Sequence, residues 1–552
     1  MRLNLPLYSY QLRSRPSSPA RLVNCFPELL PAGAATPVMI TRSPGITEWI
    51  TVGTGHIEAM YQKAIEFEAG RQDYLYVVSG DEWYYVDSAG SKTLIGNIGT
   101  PNRIDMSSNQ TTITLVNEPK GFYWNGVILT GTHTGSADQD GTSSKPMVDS
   151  AATFTEDALI GYQIRNTTDG SIGTIIDNDE TTVTVKNLLG GTDNDFDASD
   201  AYVIVGFGEI TDDDFVSRGS GDVEYLDKFY FHREPNSNRF FIGPQWSSGE
   251  TDDASARSFD SLQYVEVDDA PDELTGLLAH SGLMLAFGND TLEFYENTGV
   301  AGVPFERIIN STVEVGCLDP KGIARVFNKV HFVADDYTVR RLDGLIPMRV
   351  STHAIEQRLA AETIVDSFSY SQEGHFFYCL TTTGGTYLLD AITSEWSERE
   401  SYGLPNWTPR HHAQFAGYEL MGDSNTNKIG YLDFTSYKEF GNTQRMEWTY
   451  QPVWANGVRA FHNRLEIVLE TGVGLTTGQG DDPKIMLQYS DDGGLTWQSM
   501  PDRTFGKRGE TETRCVWNNL GSARKRVYRA ACSDPVPITI TDTLLEVEGG
   551  RL

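Results

Sequence analysis

Seven times along this chain a short apolar strand, a turn and a second strand recur, the second often closing on Asp or Asn. The first strands are YLYVV at 74, TITLV at 112, KFYFH at 228, LMLAFG at 283, KVHFVA at 329, HFFYCL at 375 and YELMGD at 418. Partners include WYYVD at 83, GFYWNG at 121, TLEFYEN at 291, TVRRLDG at 338, TYLLD at 386 and IGYLD at 429. A lone hairpin cannot bury its apolar face, so a repeated one must pack on its neighbours, and the period of the repeat sets the architecture.

Successive starts lie 38, 116, 55, 46, 46 and 43 residues apart. The outlier has a local cause. Residues 129–206 differ in texture and read as an insertion of 78 residues, which leaves 38. A spacing of roughly 40–55 residues is that of four-stranded propeller blades. YLLDAITSEWSERE (387–400) adds a kelch-like Asp-then-Trp pattern. The fold expected is therefore mainly β, a β-propeller-like domain carrying a small inserted β module. A stack of hairpins without closure is the alternative.

From about Arg445 six further strand-like runs follow, among them MEWTYQPVW, RLEIVLETG and PITITDTLLEVE, enough for a C-terminal β-sandwich. The expected divisions are 1–41, an extended N-terminal docking segment; 42–128 with 207–440, the propeller-like domain; 129–206, the insertion; and 441–552, the sandwich. One helix stands out at 351–362, with Ser351 or Thr352 as cap and Ile355 and Leu359 on one face, placed to pack between blades.

The formal charge of −33 disfavours binding to phosphate backbones. Plain solubility is the simpler account, and a surface along which DNA slides without sticking is compatible with it. The insertion is the most acidic part, with 17 acidic against 3 basic residues over 135–215. Asp193, Asp195 and Asp197 resemble a calcium loop, but Ala198 and Ile204 stand where an EF-hand needs Gly and Glu, so a solvated acidic loop is preferred. The five cysteines are widely spaced without a CxxC, which points to a reducing compartment. No apolar run approaches the roughly 18 residues needed to span a bilayer.

The octapeptide SDDGGLTW (490–497) fits the aspartate box of sialidases, Ser-x-Asp-x-Gly-x-Thr-Trp. Ser490, Asp492, Gly494 and Trp497 suit a turn equally well: the carboxylate bonds its own backbone, glycines take positive φ and the indole packs beneath. The box is a turn motif remote from catalytic residues, and only one copy occurs. Walker, GxGxxG, HExxH and GxSxG patterns are absent from the sequence. His411 and His412 are strand neighbours and face opposite ways. No catalytic, cofactor-binding or metal-ligating residue is assigned, and no enzyme is expected.

Two basic stretches interrupt the acidic background. Arg2, Arg13, Arg15 and Arg21 lie in an N-terminal segment without acids, and 501–532 holds Arg508, Arg524, Lys525 and Arg526 among eight cations. A solvated hairpin face is one reading. Docking on the acidic surface of a like subunit or assembly partner is the other.

RSPGITEWITVG (42–53), GNDTLEFYENTG (288–299), PMRVSTHAIEQRLAAE (347–362) and YSDDGGLTW occur in this order. In that the chain resembles the packaged-DNA stabilisation proteins of short-tailed phages, also called tail accessory factors, tail hubs or nozzles, over nearly all its length outside 129–206. The resemblance implies a structural virion protein, assembled in the host cytoplasm, forming a ring of usually six copies below the portal and its adaptor. Such a ring extends the DNA channel, lets double-stranded DNA pass without specific binding, helps retain the genome, and anchors a needle or plug and tailspikes or fibres. It implies no catalytic residues and no cofactor. The alternative is a virion-associated glycan-binding or sialidase-like glycan-cleaving propeller.

Overall fold

Each apolar "first strand" of the sequence repeat is the second strand of a four-stranded antiparallel sheet in the computed structural model, which describes residues 2–549 except 13–17, 32, 35, 68–69, 136–144, 248–253, 268–271, 301 and 455–456. The offset has a simple cause. A second strand is flanked on both sides and buried on both faces, so it reads as a continuous apolar run. Leu75, Tyr76, Val77 and Val78 are all fully buried. The first strand of a sheet alternates instead, as Ile364–Gln372 does.

The chain divides into two units, Val52–Pro320 and Met1–Thr51 with Lys321–Leu552. In the first unit four blade-like sheets follow in sequence. They run from Ile57 to Asn97, from Ile104 to Glu209, from Val223 to Glu266 and from Leu274 to Arg307. The second unit holds three more: Ala324–Arg349, Ile364–Arg399, and one built from Pro409–Phe415, Tyr418–Asp423 and Lys428–Asp433. The last sheet takes its fourth strand from the N-terminal part of the chain, Gly45–Thr51, paired antiparallel with Lys428–Asp433.

Turn chemistry repeats as well. In the last five sheets the first two strands are joined by two residues that both have positive φ: Asp227–Lys228, Ser281–Gly282, Phe327–Asn328, Glu373–Gly374 and Ala416–Gly417. Two positive φ values make the type I′ turn whose twist matches that of the strands it joins. Only three of these turns use glycine, and then at the second position.

Helix His353–Leu359 buries Ala354, Ile355 and Leu359 against Val326, Val333 and Val339 of one sheet and Tyr378, Leu380 and Trp396 of the next. Thr352 occupies the N-cap position but makes no side-chain cap bond. Ser351 donates to Glu356 Oε1 at 2.6 Å instead. The expected hydroxyl cap is thus replaced by a side-chain pair, since Glu356 is also held by Arg349. A second helix, Asp213–Arg218, was not expected. Asp212 caps it by accepting from the amides of Asp214 and Phe215.

The insertion leaves the second sheet between its third and fourth strands. Lys120–Thr132 and Ala201–Glu209 run on past a bulge at Trp124/Ile128 into the module, where Gln163–Asn166, Ile172–Asn178, Thr182–Val185 and Lys145–Val148 extend the sheet. Met147, Ile164, Ile175, Val183, Phe196 and Ile204 give it its own core.

The sandwich has two facing sheets. One is ordered Pro19–Val23, Met446–Thr449, Lys525–Cys532, Lys484–Ser490; the other Cys25–Leu29, Val38–Arg42, Thr539–Gly549, Ala460–Leu469, Cys515–Asn518. Residues 19–42, read from the sequence as part of an extended docking segment, are therefore strands of this sandwich. Between the sheets Trp448 Nε1 donates to the Tyr450 hydroxyl, which meets Thr543 Oγ1 of the facing sheet, each at 2.8 Å. All three are buried among Leu465, Leu487 and Trp517. Truncating Trp448 to Ala is expected to cost about 3–5 kcal/mol.

Candidate docking surface

The strand Lys484–Ser490 returns through the octapeptide to Gln498–Ser499. Within the turn, Asp492 accepts from the amides of Leu495 and Thr496 at 2.9 and 3.0 Å and from the hydroxyls of Ser490 and Thr496. Ser490 Oγ accepts the Gly494 amide at 2.7 Å. Gly493 and Gly494 have φ of 81° and 95°. The hydrogen bonds from Ser490 and Thr496 hold the Asp492 carboxyl well below the usual carboxylate range. Every acceptor position of Asp492 is thus occupied by its own turn. Trp497 is only partly buried, and the Arg529 guanidinium lies 4.1 Å over its ring.

The neighbouring Asp491 pairs with Arg526, whose guanidinium is buried and stacks 4.1 Å over Tyr489. Arg526 is a strut inside the sandwich, so it leaves the set of surface docking candidates. Arg21 is likewise committed. It binds Glu398 at 2.6 Å and Glu400 at 2.5 Å, joining strand Pro19–Val23 to the outer strand Trp396–Arg399 of the sixth sheet. Burial drives the Glu398 carboxyl up, but Arg21 and Arg358 more than offset this and hold it below its ordinary range. Arg2 pairs with Asp542 at 2.8 Å. Arg13 and Arg15 lie outside the described residues.

What remains at the surface is Arg508, Arg524 and the half-buried Lys525. Two large side chains missed by sequence reasoning join them. Trp454, 65% exposed, is the cross-strand partner of Lys525, and Phe461, 49% exposed, is that of Ser522. Arg459 also reaches Ser522 Oγ, at 3.4 Å. Aromatic and guanidinium groups side by side on an edge are the composition of interface hot spots. The signal was present in the sequence as an indole in a short strand, VW, before a Gly-containing turn, but nothing there shows its burial.

Among the described residues no three His, Cys, Asp or Glu side chains converge as metal ligands. In the acidic loop, Asp195 is largely buried, and the Asn194 amide donates to Asp169 at 3.0 Å. No helix among the described residues is long and apolar enough to cross a membrane.

Two domains of one family match in chain order: the β-propeller of bacteriophage P22 Gp10 over residues 214–437 and its β-sandwich over 447–548. The chain belongs to the bacteriophage P22 Gp10 family. Gp10 proteins are structural proteins of the phage tail that stabilise packaged DNA. The match covers the last five blade-like sheets and the sandwich with its octapeptide hairpin. No curated protein matches the sequence. Among solved structures, BamB from Moraxella catarrhalis is 8% identical over 75% of this chain and 98% of its own, with a TM-score of 0.34. The Dos1 propeller is 9% identical over 77% and 99%, with a TM-score of 0.33. Likenesses this distant add no argument to the family match.

Proposed function

We propose that this Gp10-family protein is the nozzle of a short phage tail: a homo-oligomeric ring, six copies by family resemblance, seated below the portal and adaptor. It extends the channel through which double-stranded DNA leaves, helps retain the packaged genome, and anchors a needle or plug and tailspikes or fibres. It assembles in the host cytoplasm, ends in the virion, and makes or breaks no bond. In this reading residues 42–128 with 207–440 and 441–552 are the ring-building domains, and 129–206 is an appended module.

The observation that carries the proposal is the match of both Gp10 domains, propeller then sandwich, in order. Charge supports it. A chain at −33 repels the DNA that it must let slide, and the exposed Arg524, Lys525 and Trp454 offer a contrasting edge for an acidic neighbour. Electron micrographs of the purified protein should show an annulus with a DNA-wide hole, retained by portal–adaptor complexes. A strictly monomeric protein that hydrolyses a bacterial polysaccharide would overturn the reading.

A further inference from the structure

The outer half of strand Lys120–Thr132 has a partner on one side only. Ile128 to Thr132 pair with Val205 to Ala201, whereas Ile113–Asn117 flanks only residues 120–124 on the opposite side. Two hydrogen bonds fix which backbone groups face which way: His133 N donates to Asp200 O at 2.7 Å and Thr167 N to Ala201 O at 2.8 Å. By alternation, Leu129 and Gly131 face the paired strand, while Ile128, Thr130 and Thr132 point their amides and carbonyls outward. The Thr132 amide is taken by Asp149. Ile128 and Thr130 are exposed, and among the described residues no strand takes up their outward groups.

This edge opens into a groove of about 1360 Å³. Residues 127–132 form one wall and 151–160 the other, while Tyr202 lies across Gly131 with its hydroxyl on Asp149 at 2.7 Å. Ile128 and Ile160 are 37% and 41% exposed, and Leu129 and Phe154 are half-buried. Six residues of edge run for about 20 Å at ~3.3 Å per residue, the reach of a short extended peptide rather than of a compact ligand. The lining carries Asp149, Glu156 and Asp157. Its one guanidinium, Arg257, lies 5.0 Å over the Tyr123 ring. The surrounding stretch 135–215 has 17 acids against 3 bases.

We propose that this groove receives a basic, extended segment of a partner protein as an added strand along Ile128–Thr132. Main-chain hydrogen bonds to Ile128 and Thr130 give the affinity, alternate apolar side chains settle between Ile128 and Ile160, and the intervening cations meet Glu156 and Asp157. An edge with two open residues is otherwise a hazard for uncontrolled pairing, and an acidic rim admits only cationic strands. The proposal concerns the inserted module and stands whether or not the chain forms a ring.

The test uses the full chain and a fluorescein-labelled hexapeptide of alternating Lys and Val, followed by anisotropy, with a Glu–Val peptide as counterpart. The basic peptide should bind, more weakly as salt rises, and should slow hydrogen exchange at the Ile128 and Thr130 amides. Thr130→Pro removes one outward donor at an edge, where proline is tolerated, and should weaken binding about fivefold to tenfold. Glu156→Lys with Asp157→Lys, on an exposed loop, should transfer preference to the acidic peptide, and this pair keeps the test open if the proline variant melts early. No binding of the basic peptide, binding indifferent to both variants, or amides at 128 and 130 already protected in the chain alone would each overturn the proposal.

Discussion

Arg526 grips Asp491 through two parallel hydrogen bonds, Nε to Oδ1 and Nη2 to Oδ2, each 2.7 Å long. The pair ties strand Lys525–Cys532 to the first residue after strand Lys484–Ser490, at the entrance of the octapeptide turn. The guanidinium is 3% exposed and the carboxylate 44%. Arg526 also donates to Leu520 O and stacks on Tyr489.

Replacing Arg526 by Ala should therefore destabilise the sandwich. The loss is expected near 2 kcal/mol, below the ~3–5 kcal/mol of a fully buried pair, because Asp491 keeps water on one side. Lys in place of Arg retains the charge but not the fork, so it should recover less than half of the loss. Thermal melts of the three proteins decide this. A fully stable alanine variant would show that Arg526 is no strut.

Asp492 gives the turn a pH signature. Its folded pKa lies well below its unfolded value of about 3.9. A depressed carboxyl contributes stability that is present above the unfolded pKa and lost as pH falls through the folded one. The gap in melting temperature between wild type and Asp492→Asn should thus be open at neutral pH and narrow on acidification below about pH 4. A gap that does not change with pH would mean that the amides of Leu495 and Thr496 are satisfied without the charge.

Most of the architecture was legible because buried inner strands carry continuous apolar runs such as HFFYCL. Their turns were not. Phe327–Asn328 and Glu373–Gly374 lack the Asn-Gly or Asp-Gly signature of a type I′ turn, and the strands themselves impose the conformation. The role of each basic residue was also hidden. Lys525 and Arg526 are neighbours of like charge, and only Asp491, 35 residues away in sequence, decides that Arg526 turns inward. Arg21 is decided in the same way by Glu398 and Glu400. Trp454 shows the converse: an indole reads as core from composition, yet its two-residue strand Val453–Trp454 leaves it in solvent.

His375 and Asp390 make a second pH-sensitive pair, in the sixth sheet, with Nδ1 2.8 Å from Oδ2. The hydrogen bond to Asp390 raises the His375 pKa despite partial burial, and Glu28 and Glu373 add to the effect. Burial pushes Asp390 up, but its bonds from His375, the Ile392 amide and Thr393 leave it below the usual range. A raised histidine stabilises fully below its unfolded pKa of about 6.5 and loses that contribution as pH rises through the folded value. His375→Gln should accordingly cost more melting temperature at about pH 5.5 than at about pH 8.5. Equal losses at the two pH values would place the pair's worth in packing against Phe26 and Phe377 rather than in charge.

The docking edge is the last point to test. Arg524 is exposed, Lys525 half-buried, and neither supports the sandwich as Arg526 does. Arg524→Glu with Lys525→Glu reverses four units of charge beside Trp454 while leaving the Arg526–Asp491 strut intact. If this edge meets the acidic face of the next copy, like charges now oppose each other and assembly weakens, most at low salt where screening is least. Trp454→Ala should weaken assembly at all salt concentrations, because it removes apolar contact area rather than charge. Mass photometry of wild type and both variants across a salt series separates the two effects, with melting curves confirming that each variant is folded. Rings that form equally well from folded double-reversal protein would remove this edge from the interface.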